Sequence, residues 1–174
     1  MPLTINELNN APRVAFVASL GHLFEHSPWV AEETWPHRPF RDAAHLHAEL
    51  CRTMQSAPVA RQLELIRAHP DLAGRLARQN QLTKESTKEQ ASAGLSQLTD
   101  AELTAFQKLN DEYRSKFGFP FIICARLNAK DAIVNAMKSR LMNSSVAEHS
   151  AALAEIEKIA WLRLQDALAP PVNH

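Results

Sequence analysis

Apolar residues recur every three to four positions along nearly the whole chain, and strand-like alternation is almost absent. Thr4 with Glu7 matches a capping box and opens a short first helix. Pro12 can start a second, carrying Val14, Phe16, Val17, Leu20 and Leu23 inward. Ser27-Pro28 reads as an N-cap followed by the first helical position, so a third helix begins at Trp29. After a proline-broken loop at 36–40, a helix over 41–56 offers Ala44, Leu46, Leu50 and Met54 to a core. Pro58 opens the next, with Leu63, Leu65 and Ile66, and Pro70 forces it to end near His69, because the residue before proline avoids helical geometry.

Residues 78–86 are polar and predict an exposed loop. Ser86 with Glu89, and Thr99 with Glu102, match two further capping boxes. The helix from 100 should stop near Lys116, where Gly118 can take a left-handed conformation. The run Phe121, Ile122, Ile123, Cys124, Ala125 is the one strand candidate, and its context favours a buried helix start. Helices at 129–142 and 145–168 complete the pattern. The reading is all-α: a single compact multi-helix domain over 1–174, with 169–174 a loose tail.

Composition narrows the function. The chain has 174 residues, 45% apolar and 22% charged, with 19 basic and 19 acidic side chains. That balance removes a general polyanion binder, so no nucleic-acid partner is expected. No apolar run approaches the roughly 20 residues of a membrane helix, so no membrane association is expected either. The start lacks a basic region followed by an apolar stretch, and Cys51 and Cys124 stand far apart, which fits two reduced thiols in a cytoplasmic protein. With four glycines and no glycine-rich phosphate motif, a nucleotide fold is not indicated.

Several residues could carry chemistry. His22-Leu23-Phe24-Glu25-His26 matches H-x-x-E-H, which on a helix places two imidazoles one turn apart for zinc. It lacks a distinctive third ligand, and the plainer reading is two ordinary histidines near a helix end. His45 and His47, two apart, fall on different helix faces and read as surface residues. His69 sits where Pro70 fixes the chain; it can cap the last carbonyls or act as a proton donor favoured by the helix C-terminus. Glu89 is either a capping carboxylate or, with Ser86 and Gln90, part of a polar cluster facing a substrate. Arg163 falls on the apolar stripe of the last helix, either reaching solvent or clamping a carboxylate in a pocket.

Taken together, His69–Gly74 (HPDLAG), Ser86-x-x-Glu89-Gln90, Phe117–Ile122 (FGFPFI) and Glu155–Leu164 (EIxKIAxxRL), with Gly21–Pro28 (GHLFEHSP), resemble the 2-oxo-4-hydroxy-4-carboxy-5-ureidoimidazoline (OHCU) decarboxylases over nearly the whole chain. The resemblance implies an all-helical, cofactor-free, metal-free carboxy-lyase, generally a homodimer, that converts OHCU to (S)-allantoin and CO2 at the end of urate oxidation. It also implies the site: His69 as the essential proton-transferring histidine, with Glu89 orienting it. Substrate contacts would come from Pro70, Ser86, Glu89, Gln90, Phe121, Ile122, Ile123, Cys124 and Ala125, and Arg163 would be a pocket arginine. Under it, H-x-x-E-H is coincidental. A zinc hydrolase on His22 and His26, and a helical scaffold, are the rival classes.

Overall fold

The computed structural model describes residues 2–74, 77 and 79–170. Among them are nine α-helices: α1 (Ile5–Asn10), α2 (Arg13–Leu20), α3 (Trp29–Thr34), α4 (Ala43–Ser56), α5 (Val59–Arg67), α6 (Lys84–Ser92), α7 (Asp100–Phe117), α8 (Lys130–Arg140) and α9 (Ser145–Ala167). The described residues form no β-strand, only an isolated bridge between Leu3 and Leu168, so the fold is all-α. No described helix is long and apolar enough to cross a membrane. The chain gathers into two compact units, one built from residues up to Ala68 and those from Glu157 onward, the other from His69–Ile156.

In the first unit, α3 packs on both α2 and α4. Phe16, Leu20, Leu46, Leu50, Met54 and Leu65 are each fully buried; each contributes about 1.5–3 kcal/mol. Two expected core positions fail. Val14 is 83% exposed, and Ala44 is exposed as well. Both helices have one inward stripe, and these residues lie off it. α3 starts at Trp29 as expected, but its N-cap is Pro28 and not Ser27, whose hydroxyl instead donates to Glu25 O at 2.9 Å. His47 is half-buried rather than on the surface: its Nε2 lies 2.8 Å from Glu157 O, and its ring meets Trp161 edge-on. The expected tail begins with a tied residue, since Ala169 N donates to Leu3 O at 2.7 Å, while 171–174 lie outside the described residues.

In the second unit, α7 opens with the Thr99–Glu102 capping box and closes on Gly118 at φ 75°, as its sequence predicts. Tyr113, Phe117, Phe119 and Phe121 form a buried aromatic cluster, with Tyr113 and Phe121 edge-to-face at 5.3 Å. Two expectations need correction. The cap of α6 is Thr83, whose hydroxyl accepts from Ser86 N, so Ser86 lies in the first turn and Glu89 mid-helix; the Ser86–Glu89 capping box does not form. Residues 121–124 are neither strand nor helix start. They carry no regular secondary structure and lead into a 3-10 turn, Ala125–Leu127. Pro120 cannot donate a backbone hydrogen bond, and the following backbone finds side-chain partners instead of a neighbouring strand.

Candidate active site

The segment that carries His69 is built by local chemistry. α5 ends at Arg67, Ala68 caps it, and His69, 8% exposed, precedes Pro70. The turn beyond is tight: Ala73 has φ 51°, and a Cβ on Gly74 would come within 2.7 Å of Asp71 Cβ. Three side chains of the second unit hold this turn. Gln90 Oε1 accepts from Ala73 N at 2.9 Å while its Nε2 donates to Asp71 O at 3.4 Å. Asn110 Nδ2 donates to Leu72 O at 2.9 Å, and Arg114 Nη2 pairs with the Asp71 carboxylate at 2.7 Å. Gln90 and Asn110 are both buried, so their bonds act away from competing water.

Ser86, Glu89 and Gln90 share one face of α6 by their spacing of three and four. Ser86 and Gln90 are buried and Glu89 is half-buried. α6 packs against the 3-10 turn at Ala125–Leu127. Glu89 lies close enough to Cys124 to help push its thiol up, behind the larger effects of burial and of Glu155. The structure thus brings α6 together with both the turn after His69 and the 121–125 segment.

Residues 121–125 are all buried. Arg140 Nη1 donates to Ile122 O at 2.6 Å with its guanidinium 4.3 Å above the Phe121 ring. Asn128 Nδ2 donates to Cys124 O at 3.0 Å. Arg140 is steadied in turn by Glu148, which is fully buried and accepts from Arg140 Nε at 2.8 Å, Tyr113 Oη at 2.5 Å and Asn143 Nδ2 at 3.0 Å. The result is a buried stretch of backbone whose carbonyls at Ile122 and Cys124 are held by side chains.

Arg163 belongs to the first unit. It is 3% exposed, pairs with Glu25 Oε2 at 2.9 Å and donates to His22 O at 3.2 Å. It does not reach to solvent. The H-x-x-E-H stretch is not helical: α2 ends at Leu20, a 3-10 turn covers Gly21–Leu23, and His26 has φ 46°. The one-turn spacing that would align two imidazoles is therefore absent, and its Glu is engaged by Arg163. Among the described residues no group of three His, Cys, Asp or Glu is placed to hold a metal ion.

The sequence model of the OHCU decarboxylase family matches residues 9–165. The chain belongs to that family. It is 44% identical to the OHCU decarboxylase of Halalkalicoccus jeotgali, over 97% of this chain and 93% of that one. It is 39% identical to that of Amia calva, over 99% and 98%. A crystal structure of (S)-allantoin synthase superposes with a TM-score of 0.76 at 30% identity, over 97% of this chain; the chain spans about half, 54%, of that solved one. For this OHCU decarboxylase family member, sequence reasoning missed the residues that shape the site without carrying a motif: Asn110, Tyr113, Arg140 and Glu148. No local motif marks them in the sequence.

Proposed function

We propose that the protein decarboxylates OHCU to (S)-allantoin and CO2, the last step from urate to allantoin, and that the whole chain serves as one catalytic domain. The observation that carries this reading is the family match spanning the turn of His69, the face of α6, the 121–125 segment and Arg163. In OHCU the carboxylate sits on a hydroxyl-bearing carbon beside an imine carbon that bears the ureido group. As CO2 leaves, the electron pair of the broken C–C bond forms a new C=C bond, and the imine nitrogen takes up the displaced pair with a proton. The resulting enol collapses to the ring carbonyl when its hydroxyl proton is lost and a proton is added at the ureido-bearing carbon. The substrate is its own electron sink, so the chemistry asks the protein for positioning and one directed proton.

His69 is the proton donor, held by a turn with few degrees of freedom. Glu89 orients it and the ureido group. Ser86 supplies a hydroxyl on the same helix face. Gln90 mainly holds the turn, with one amide N–H left for a ring carbonyl. Pro70 and the backbone of residues 121–125 frame the ring, and Arg163 matches the pocket arginine that the family resemblance implies. The active form is a cytoplasmic homodimer, for which light scattering on the purified protein should give twice the chain mass.

The deciding experiment starts from urate with urate oxidase and hydroxyisourate hydrolase present. Adding the protein should accelerate the circular-dichroism signal of (S)-allantoin well beyond the slow racemic background. A racemic product at the uncatalysed rate would overturn the assignment.

A further inference from the structure

The buried stretch 121–124 has no helix or strand to hold its backbone, so it depends on other partners. Its second half is held locally: Cys124 O accepts from Leu127 N at 3.1 Å and from Asn128 Nδ2 at 3.0 Å. Its first half is held from α8. Arg140 Nη1 donates to Ile122 O at 2.6 Å, and the guanidinium lies 4.3 Å above the Phe121 ring. The same group turns its Nε edge to Glu148 Oε1 at 2.8 Å. Glu148, on α9, is fully buried and accepts from two further donors, Tyr113 Oη on Oε1 at 2.5 Å and Asn143 Nδ2 on Oε2 at 3.0 Å. All these residues lie in the second unit, as do His69, Ser86, Glu89 and Gln90. A buried ion pair often adds no more stability than apolar side chains of the same volume, so packing alone does not call for this one. A planar guanidinium does what neither an apolar side chain nor an ammonium can: it meets a carboxylate on one edge, a carbonyl on another and a ring on its face.

We infer that Arg140 is a positioning residue: braced by Glu148, it pins the Ile122 carbonyl and so holds the 121–125 backbone in the form that meets the substrate ring. The inference rests on the reading of that backbone as the frame of the ring. Such a frame touches the ring alike before and during the loss of CO2. Loosening it therefore weakens binding more than it slows turnover.

Arg140→Lys keeps a cation beside Glu148 but loses the planar fork. Its KM for OHCU should rise about tenfold while kcat stays within about threefold of wild type. The double variant Arg140→Met/Glu148→Gln removes both charges and keeps an acceptor for Tyr113, and its KM should rise likewise. Thr99→Ala loses the N-cap of α7 and shows what lost stability alone does; its KM should stay at the wild-type value. Circular dichroism and thermal melts establish which variants fold. Wild-type KM in either folded Arg140 variant, or an equal rise in Thr99→Ala, would overturn the inference. Failure of both Arg140 variants to fold would overturn it too, by making the pair structural. Hydrogen exchange on the wild type, with and without (S)-allantoin, tests the underlying reading separately. Product at a concentration that inhibits turnover should slow exchange of the amides at 121–127. No slowing there would remove the reading of 121–125 as the frame, and the inference with it, whatever the variants do.

Discussion

Gln90 and Asn110 hold the backbone from which His69 emerges, and neither role is visible in their identity. A buried glutamine amide can address a ligand or a backbone; the bonds to Ala73 N and Asp71 O show that most of this one is spent on the turn. Asn110→Ala should cost about 1–3 kcal/mol in chemical denaturation, because the Leu72 carbonyl would stay buried without its donor. His69→Asn keeps hydrogen-bonding capacity but cannot transfer a proton; stopped-flow assay of the folded variant should show kcat down by about 10²–10⁴-fold. Glu89→Gln tests orientation of the same step and should retain the fold with reduced turnover. The end of α5 just before His69 was legible because Pro70 restricts the backbone of the residue before it. The partner of Arg163 was not, since Glu25 lies far away in the chain inside a motif that spells a metal site.

At the scale of elements, single residues with one physical job were read correctly. The Thr4–Glu7 and Thr99–Glu102 boxes close, and Gly118 ends α7 in the left-handed region. Gly118→Ala should therefore cost about 1–2 kcal/mol, from the strain of a Cβ at φ 75°. α6 was misread by three residues. Ser86 and Glu89 match the box pattern, but Thr83 takes the cap with its hydroxyl alone, and the polar run before it hid the start. Thr83→Ala should thus destabilise the fold by about 1 kcal/mol in a thermal melt, and Ser86→Ala should not act through capping. The shift matters to function, because it puts Ser86, Glu89 and Gln90 on one helical face rather than around a helix end. The 121–125 run was ambiguous because an apolar stretch without periodicity fits a buried strand, a helix or an irregular segment equally well. Arg140 and Asn128 decide for the last.

For the molecule as a whole, burial sets the response to pH. The Cys51 thiol is pushed up to about 12, chiefly by burial and further by Glu157. Cys124 and Tyr113 are raised as well, each mainly by burial. These groups stay protonated in the folded state while the unfolded chain begins to release their protons above about pH 9, where a free thiol titrates. The unfolded state then binds fewer protons, so stability should fall as pH rises from about 9 toward 12. Urea titrations across that range should show a declining midpoint, and neither thiol should react quickly with Ellman's reagent at pH 8 without denaturant. The sequence by itself determined the all-α class, most helix boundaries and the family, because periodicity, proline, glycine and capping act over a few neighbouring residues. Only the tertiary structure decided that Glu25 pairs with Arg163, that Gln90 and Asn110 grip the His69 turn, and that Glu148 steadies Arg140 against the 121–122 backbone. Those pairings join residues from 8 to 138 positions apart, where burial rather than local pattern selects which polar groups must meet.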